Sequence, residues 1–131
     1  MILVNASRGN SRIHGKGLIA RESIRAGTVI WVLRPGFDVV LTRDQFDALN
    51  ANSRDQIGRY IYTDVQTGSY ILCSDDAKYM NHSDTPNTRT EGHQTVATAD
   101  IQPGQEITCN YFEFDAGTRR STVVEWDNVG K

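Results

Sequence analysis

Apolar positions along this chain come in short runs, not in long helical stripes. "MILV" (1–4), "GLIA" (17–20), "TVIWVL" (28–33) and "DVVL" (38–41) fall early, and "SYIL" (69–72), "TVATA" (95–99) and "EITCNY" (106–111) follow. Many of the runs are rich in β-branched residues and turn formers separate them, so each reads as a short strand. "RAG" (25–27) and "QPGQ" (102–105) mark turns, the second with Pro-Gly where a type II turn places it. Within "EITCNY", strand alternation puts Ile107, Cys109 and Tyr111 on one face and Glu106, Thr108 and Asn110 on the other.

From Thr42 to Tyr60 the period changes. Thr42 before Gln45 and Ser53 before Gln56 are capping-box candidates, and Phe46 with Leu49, then Ile57 with Tyr60 and Ile61, fall at helical spacing. Two short helices are predicted there. The pattern as a whole predicts a mostly-β fold with a small helical insert around 42–60. No repeat, low-complexity tract or linker interrupts it, so 1–131 reads as one domain with a short C-terminal tail about 116–131.

Composition narrows the classes. An apolar share of 38% allows a modest core, and 23% charged residues is ordinary for a soluble protein. The net charge of −2, with no run of lysine or arginine, argues against a general nucleic-acid binder and suits a basic partner weakly. Cys73 and Cys109 form no Cys-x-x-Cys pair and read as reduced thiols of a cytoplasmic protein. "MILVN" is too short for a signal peptide or a membrane span, so no membrane association is expected. His14, His93 and the two cysteines are scattered singly, so no metal site is expected.

Three segments carry candidate chemistry. In "IHGKGLIA", Gly15 and Gly17 flank one residue before a strand, which fits a tight turn or a ligand lying against bare backbone. "YMNHSDTPNT" (79–88) crowds Asn81, His82, Ser83, Asp84 and Asn87 together, which fits a polar turn or a built site. "GQEITCNY" ends an apolar stripe on Tyr111, whose phenol needs a polar partner if buried.

Taken in order, the three resemble the SET domain of protein lysine methyltransferases. "HGKGLIARESIRAGTVI" looks like that family's first motif. "KYMNHSDTPNT" resembles Arg-Phe-x-Asn-His-Ser-x-x-Pro-Asn, with Lys78 for arginine and Tyr79 for phenylalanine. "GQEITCNYFEFD" resembles Glu-Leu-Thr-x-Asp-Tyr, with Asn110 for aspartate. The likeness runs from about Arg12 to Asp115.

The resemblance implies a SET, β-clip-like fold of several short curved sheets, with a pseudoknot-like C-terminal threading that forms a pocket for S-adenosylmethionine. It implies that the backbone of His14, Gly15, Lys16 and Gly17 faces the cofactor's amino-acid end, while Asn81 and His82 meet its amino group and adenine. Tyr79 would pack nearby, Phe114 would lie on the adenine, and Tyr111 would stand where cofactor and substrate meet. "RYIYTD" (59–64) looks like the segment lining the lysine channel, with Tyr60, Tyr62 and Phe112 as its aromatics and Tyr60 joining Tyr111 as catalytic residues. Read from spacing alone, Tyr60 is equally a core residue on a helix face. The implied activity is methyl transfer to the lysine amine of a protein substrate.

The chain departs from larger family members in having no cysteine clusters before or after the motifs, and it resembles small stand-alone SET proteins. Trp126 in the tail reads as an anchor or as a lid over the site. If the tail does not complete the lysine channel, a homodimer is the expected alternative. A non-catalytic peptide- or cofactor-binding module, an interaction protein reusing the fold, and a small-molecule methyltransferase remain open.

Overall fold

The computed structural model describes residues 1–118; Trp126 and the tail from 119 onward lie outside the described residues. Three small sheets carry the architecture. In the first, β1 (Ala6–Asn10), β2 (Lys16–Ala20), β10 (Glu106–Cys109) and β7 (Asn81–His82) lie side by side in the order β1-β2-β10-β7. The second runs β3 (Val29–Val32), β9 (Gln94–Ala97), β8 (Thr88–Glu91), and the third β4 (Val39–Leu41), β6 (Tyr70–Leu72), β5 (Tyr62–Thr63). Neighbours pair antiparallel except β7 and β10, whose parallel register sets Thr108 beside Asn81 and Cys109 beside His82. This one pairing brings the two polar motifs together.

The apolar runs supply the core: Leu18 and Ala20 from β2, Ile30 and Trp31 from β3, Ala97 from β9 and Ile107 from β10, joined by Ile24, Cys73 and Ile101. Leu18, Ile30, Ile101 and Ile107 are fully buried, each worth about 1.5–3 kcal/mol relative to exposure. At 102–105 the expected turn is present: the Gln105 N–H donates to the Gln102 carbonyl at 3.0 Å, and Gly104 takes φ +88°, open to glycine without a Cβ penalty.

The insert forms two helices, α1 (Arg43–Asp47) and α2 (Ala51–Gly58). Thr42 builds the full capping box with Gln45, as its spacing predicts. The second cap is not Ser53. Asn50 takes that role, accepting the Ser53 N–H at 2.8 Å, because its extended backbone already places a short acceptor over the first turn.

Further differences lie in the strands. "MILV" makes only one bridge, Ile2 to Trp31; the strand lies later, at the polar Ala6–Asn10. β8 (TRTE) also escapes an apolar-run reading, since its buried positions are threonines. β10 ends at Cys109, so Tyr111 is not on the strand but opens a 3₁₀ turn, Tyr111–Glu113. Thr108, on the face opposite Ile107 and Cys109, is buried as well, because Asn87 and Thr88 cover it. No helix among the described residues is long and apolar enough to cross a membrane.

Candidate functional site

Asn81 sits in β7, buried between β10 and the loop leading into β2. Its amide nitrogen lies 3.0 Å from Ser11 Oγ, 3.1 Å from the His14 carbonyl, 3.0 Å from the Lys16 carbonyl and 3.0 Å from Glu106 Oε2. An amide offers two N–H donors, so these acceptors exceed what Asn81 can satisfy. Ser11 cannot help, since its hydroxyl donates to the Glu106 carboxylate at 2.7 Å and accepts the Ile13 and His14 N–H groups. The nook is therefore rich in acceptors and short of donors, chemistry that matches a ligand ammonium group.

Gly17 has a specific reason to lack a side chain. A Cβ there would lie 2.5 Å from Glu106 Oε2 and 3.1 Å from the Ser11 Cβ. The bare backbone is approached by the chain's own carboxylate, not left open to a ligand.

Asn87 holds the neighbouring strand in place. Its Nδ2 donates to the Glu106 carbonyl at 2.9 Å, and its Oδ1 accepts the Thr108 N–H at 2.9 Å. The side chain thus serves β10 as a partner strand would. Just beyond, Asn110 accepts the Phe112 N–H at 3.0 Å and starts the turn that carries Tyr111. Asparagine fills that capping role as well as the aspartate of the motif it resembles.

Tyr111 is fixed at both ends. Its N–H donates to His82 Nδ1 at 3.1 Å, which makes Nδ1 the unprotonated nitrogen and leaves Nε2, 3.2 Å from Asp84 Oδ1, to carry a proton. Its phenol donates to the Met80 carbonyl at 2.8 Å. Burial, seconded by the nearby Cys109, pushes the phenol up to about 12, so it stays protonated at neutral pH. With its proton on Met80, the oxygen presents lone pairs to its surroundings.

Those surroundings are a cavity of about 190 Å³ whose lining includes Trp31, Tyr60, Tyr62, Met80, Tyr111 and Phe114. The Phe114 ring meets Tyr62 at 5.0 Å and Tyr111 at 5.9 Å, both edge to face. Burial raises the Tyr62 phenol far above its ordinary range. Trp31 Nε1 is buried without a hydrogen-bond partner among the described residues. The walls are largely aromatic, and Asp115, Arg59 and Lys78 also border the cavity.

The structure thus joins Gly17, Asn81, His82 and Tyr111 through the β2–β10–β7 pairings, and gathers Tyr60, Tyr62, Tyr111 and Phe114 around one cavity. Tyr60 lies beyond the end of α2 and faces this cavity, not a helix core. Phe114, expected over an adenine, packs on Tyr62 and Tyr111. Phe112 does not line the cavity; it is 38% exposed and meets the His82 ring at 5.8 Å, because the 3₁₀ turn points successive side chains apart. His14 contributes its carbonyl, Gly15 a turn at φ +47°, and the Lys16 ammonium reaches away to Asn10 at 2.8 Å. Tyr79 packs against Tyr60 at 5.5 Å and under Arg8, on the outer side of the motif. Ser11, Glu106 and the Met80 carbonyl were not singled out from the sequence. Glu106 alone left a trace there, as the glutamate that opens the motif "EITCNY" resembles.

Comparison with known proteins shows the family. The SET domain family matches residues 15–112. The histone-lysine N-methyltransferase set9 of Aspergillus terreus is 33% identical over 105 residues, which is 76% of this chain but 16% of that protein. A chain from the Polycomb Repressive Complex 2 of Chaetomium thermophilum, in a humanized mutant bound to the inhibitor GSK126, superposes with a TM-score of 0.64 at 21% identity, covering 88% of this chain and 16% of its own. A Plasmodium falciparum chain classed as a candidate histone methyltransferase gives 0.58 at 22% identity, covering 84% of this chain and 95% of its own. At these identities the structural likeness establishes the fold. This chain spans about a sixth of the curated relative it matches.

Proposed function

This chain belongs to the SET-domain family, and from that premise we propose that it is a protein-lysine N-methyltransferase using S-adenosylmethionine. One observation carries the reading: the Tyr111 phenol, neutral and committed to Met80, borders an aromatic cavity while its backbone is tied to the Asn81–His82 strand. Bound here, S-adenosylmethionine supplies an electrophilic methyl group on a sulfonium. The acceptor surplus around Asn81 suits the ammonium of that cofactor, so the carbonyls of His14 and Lys16, with Asn81 and the Glu106 carboxylate, are the groups proposed to hold it.

The chain's own residues then have two tasks. Tyr60, Tyr62 and Phe114 present rings to the cavity, and a lysine amine desolvated between them falls below its free pKa of about 10.4. Tyr111 orients: its oxygen, fixed through Met80 and His82, defines the line along which the neutral amine approaches. No side chain need act as a general base, and Tyr111 is a poor one with a phenol at about 12.

The test is transfer of label from methyl-tritiated S-adenosylmethionine to proteins of a cell lysate, with the modified residue located by mass spectrometry. Label on a lysine ε-amine supports the reading. Tight cofactor binding with no transfer to any protein overturns it in favour of a binding module.

A further inference from the structure

The wall of the aromatic cavity contains a lysine of the chain's own. Lys78 belongs to the 3₁₀ turn Asp76–Tyr79, two residues before Met80, whose carbonyl holds the Tyr111 phenol. The side chain is half-buried. Its Nζ lies 5.6 Å from the Tyr79 ring centre and 5.9 Å from that of Tyr60, two rings that meet edge to face at 5.5 Å. The charge reaches deeper along the wall: burial pushes the Cys73 thiol up to about 12, and the Lys78 ammonium is among the charges that pull it the other way.

Apart from the two rings, little holds that amine. Among the described residues no group hydrogen-bonds Lys78 Nζ, and the ion pairs within 4.0 Å do not include it. Asp115 shares the cavity wall, but its carboxylate accepts the Thr63 and Gly117 N–H groups and the Thr118 hydroxyl. Asp75 accepts the Ile2 and Ala77 N–H groups, and Asp76 the Arg8 N–H. The other described lysine, Lys16, donates to Asn10 at 2.8 Å and does not line the cavity. The motif that this stretch resembles carries arginine where Lys78 stands. An arginine keeps its proton and offers no lone pair, whereas a lysine is a nucleophile once neutral.

We propose that Lys78 is a modification site of this chain: its own ε-amine, set in the cavity wall, accepts a methyl group from S-adenosylmethionine by transfer within one molecule. This rests on the methyltransferase reading of the cavity. The ammonium first gives its proton to solvent. The freed lone pair then forms the N–C bond as the methyl–sulfur bond breaks, and S-adenosylhomocysteine leaves with the electrons of that bond. An acceptor tethered beside Met80 needs no encounter with a second protein, so its effective concentration exceeds that of any free substrate.

Two readouts test the inference, the first without turnover. In protein isotope-labelled at lysine Cε, the Lys78 magnetic-resonance signal is identified by its absence from Lys78→Arg. That signal is expected to shift when S-adenosylhomocysteine is added; an unmoved signal places the amine away from the cofactor and overturns the inference. The second readout is mass spectrometry of the purified protein incubated alone with S-adenosylmethionine. The expected result is a methyl group on Lys78, lost entirely in Lys78→Arg, formed at a rate per molecule that does not depend on protein concentration. Methyl groups only on Lys16 or Lys131, none at all, or a rate per molecule that rises in proportion to protein concentration overturns it. Lysate labelling separates the two claims. Labelled lysate lysines with Lys78 unmodified remove this inference and leave the methyltransferase reading standing; label on neither removes both.

Discussion

The chemistry of the site turns on a few short polar side chains packed closer than their sequence positions suggest. Glu106 is the clearest: its carboxylate is held by Ser11 and Asn81 and lies against Gly17. A Gly17→Ala substitution is expected to push that carboxylate off its partners and destabilise the fold by about 1–3 kcal/mol, measured by urea denaturation. A midpoint equal to wild type would show that Glu106 moves freely and positions nothing. Asn81, His82 and Tyr111 were legible in the sequence because they lie in dense motifs. Ser11 and Glu106 were not, because strand alternation only sets Glu106 on the face opposite the apolar stripe, and the pairing of β10 with β2 and β7 turns that face into a nook. Phe112 lies off the cavity lining for a related reason: the strand stops at Cys109 and the turn that follows redirects the side chains after it.

At the level of elements, the helical insert and the strands built from apolar runs were readable, while strands made of polar residues were not. Ala6–Asn10 and Thr88–Glu91 carry no apolar stripe; the first lies at a sheet edge, and the second buries Thr88, which donates to the Thr108 carbonyl, and Thr90, which bonds Thr95 of β9. Asn87 illustrates what such elements demand, since its amide replaces two ladder bonds of β10. Asn87→Ala is expected to strand the Glu106 carbonyl and the Thr108 N–H, costing about 1–3 kcal/mol and weakening S-adenosylmethionine binding through the displaced β10. Calorimetric titration checks the second effect, and an unchanged affinity would separate this strand from the site. Thr42→Ala offers the contrast. It removes a capping box distant from the nook, so a loss of about 0.5–2 kcal/mol with cofactor affinity unaltered is the expected outcome of the same two measurements.

Across the whole molecule, burial of acidic groups in neutral form sets the response to pH. Burial pushes the Cys73 thiol up to about 12, as it does the Tyr111 phenol, and raises Tyr62 and Cys109 further. Their folded values exceed the unfolded ones, so the stability they confer is fully present below the ordinary thiol and phenol values of about 8.5 and 10. It is lost as pH rises from there toward about 12. Thermal melts should therefore be flat through neutral pH and fall steeply above about pH 9; melts unchanged up to about pH 11 would mean that these groups are solvated. Methyl transfer should rise over the lower part of that range as lysine amines lose their protons.

The fold and the cavity converge on one residue, and the most direct measurement is single-turnover methyl transfer by wild-type protein and by Tyr111→Phe, each saturated with S-adenosylmethionine. The expected result is a rate about a hundredfold or more lower in the variant, with cofactor affinity near that of wild type. Equal rates would contradict the orienting role of Tyr111 and the reading of the cavity built upon it.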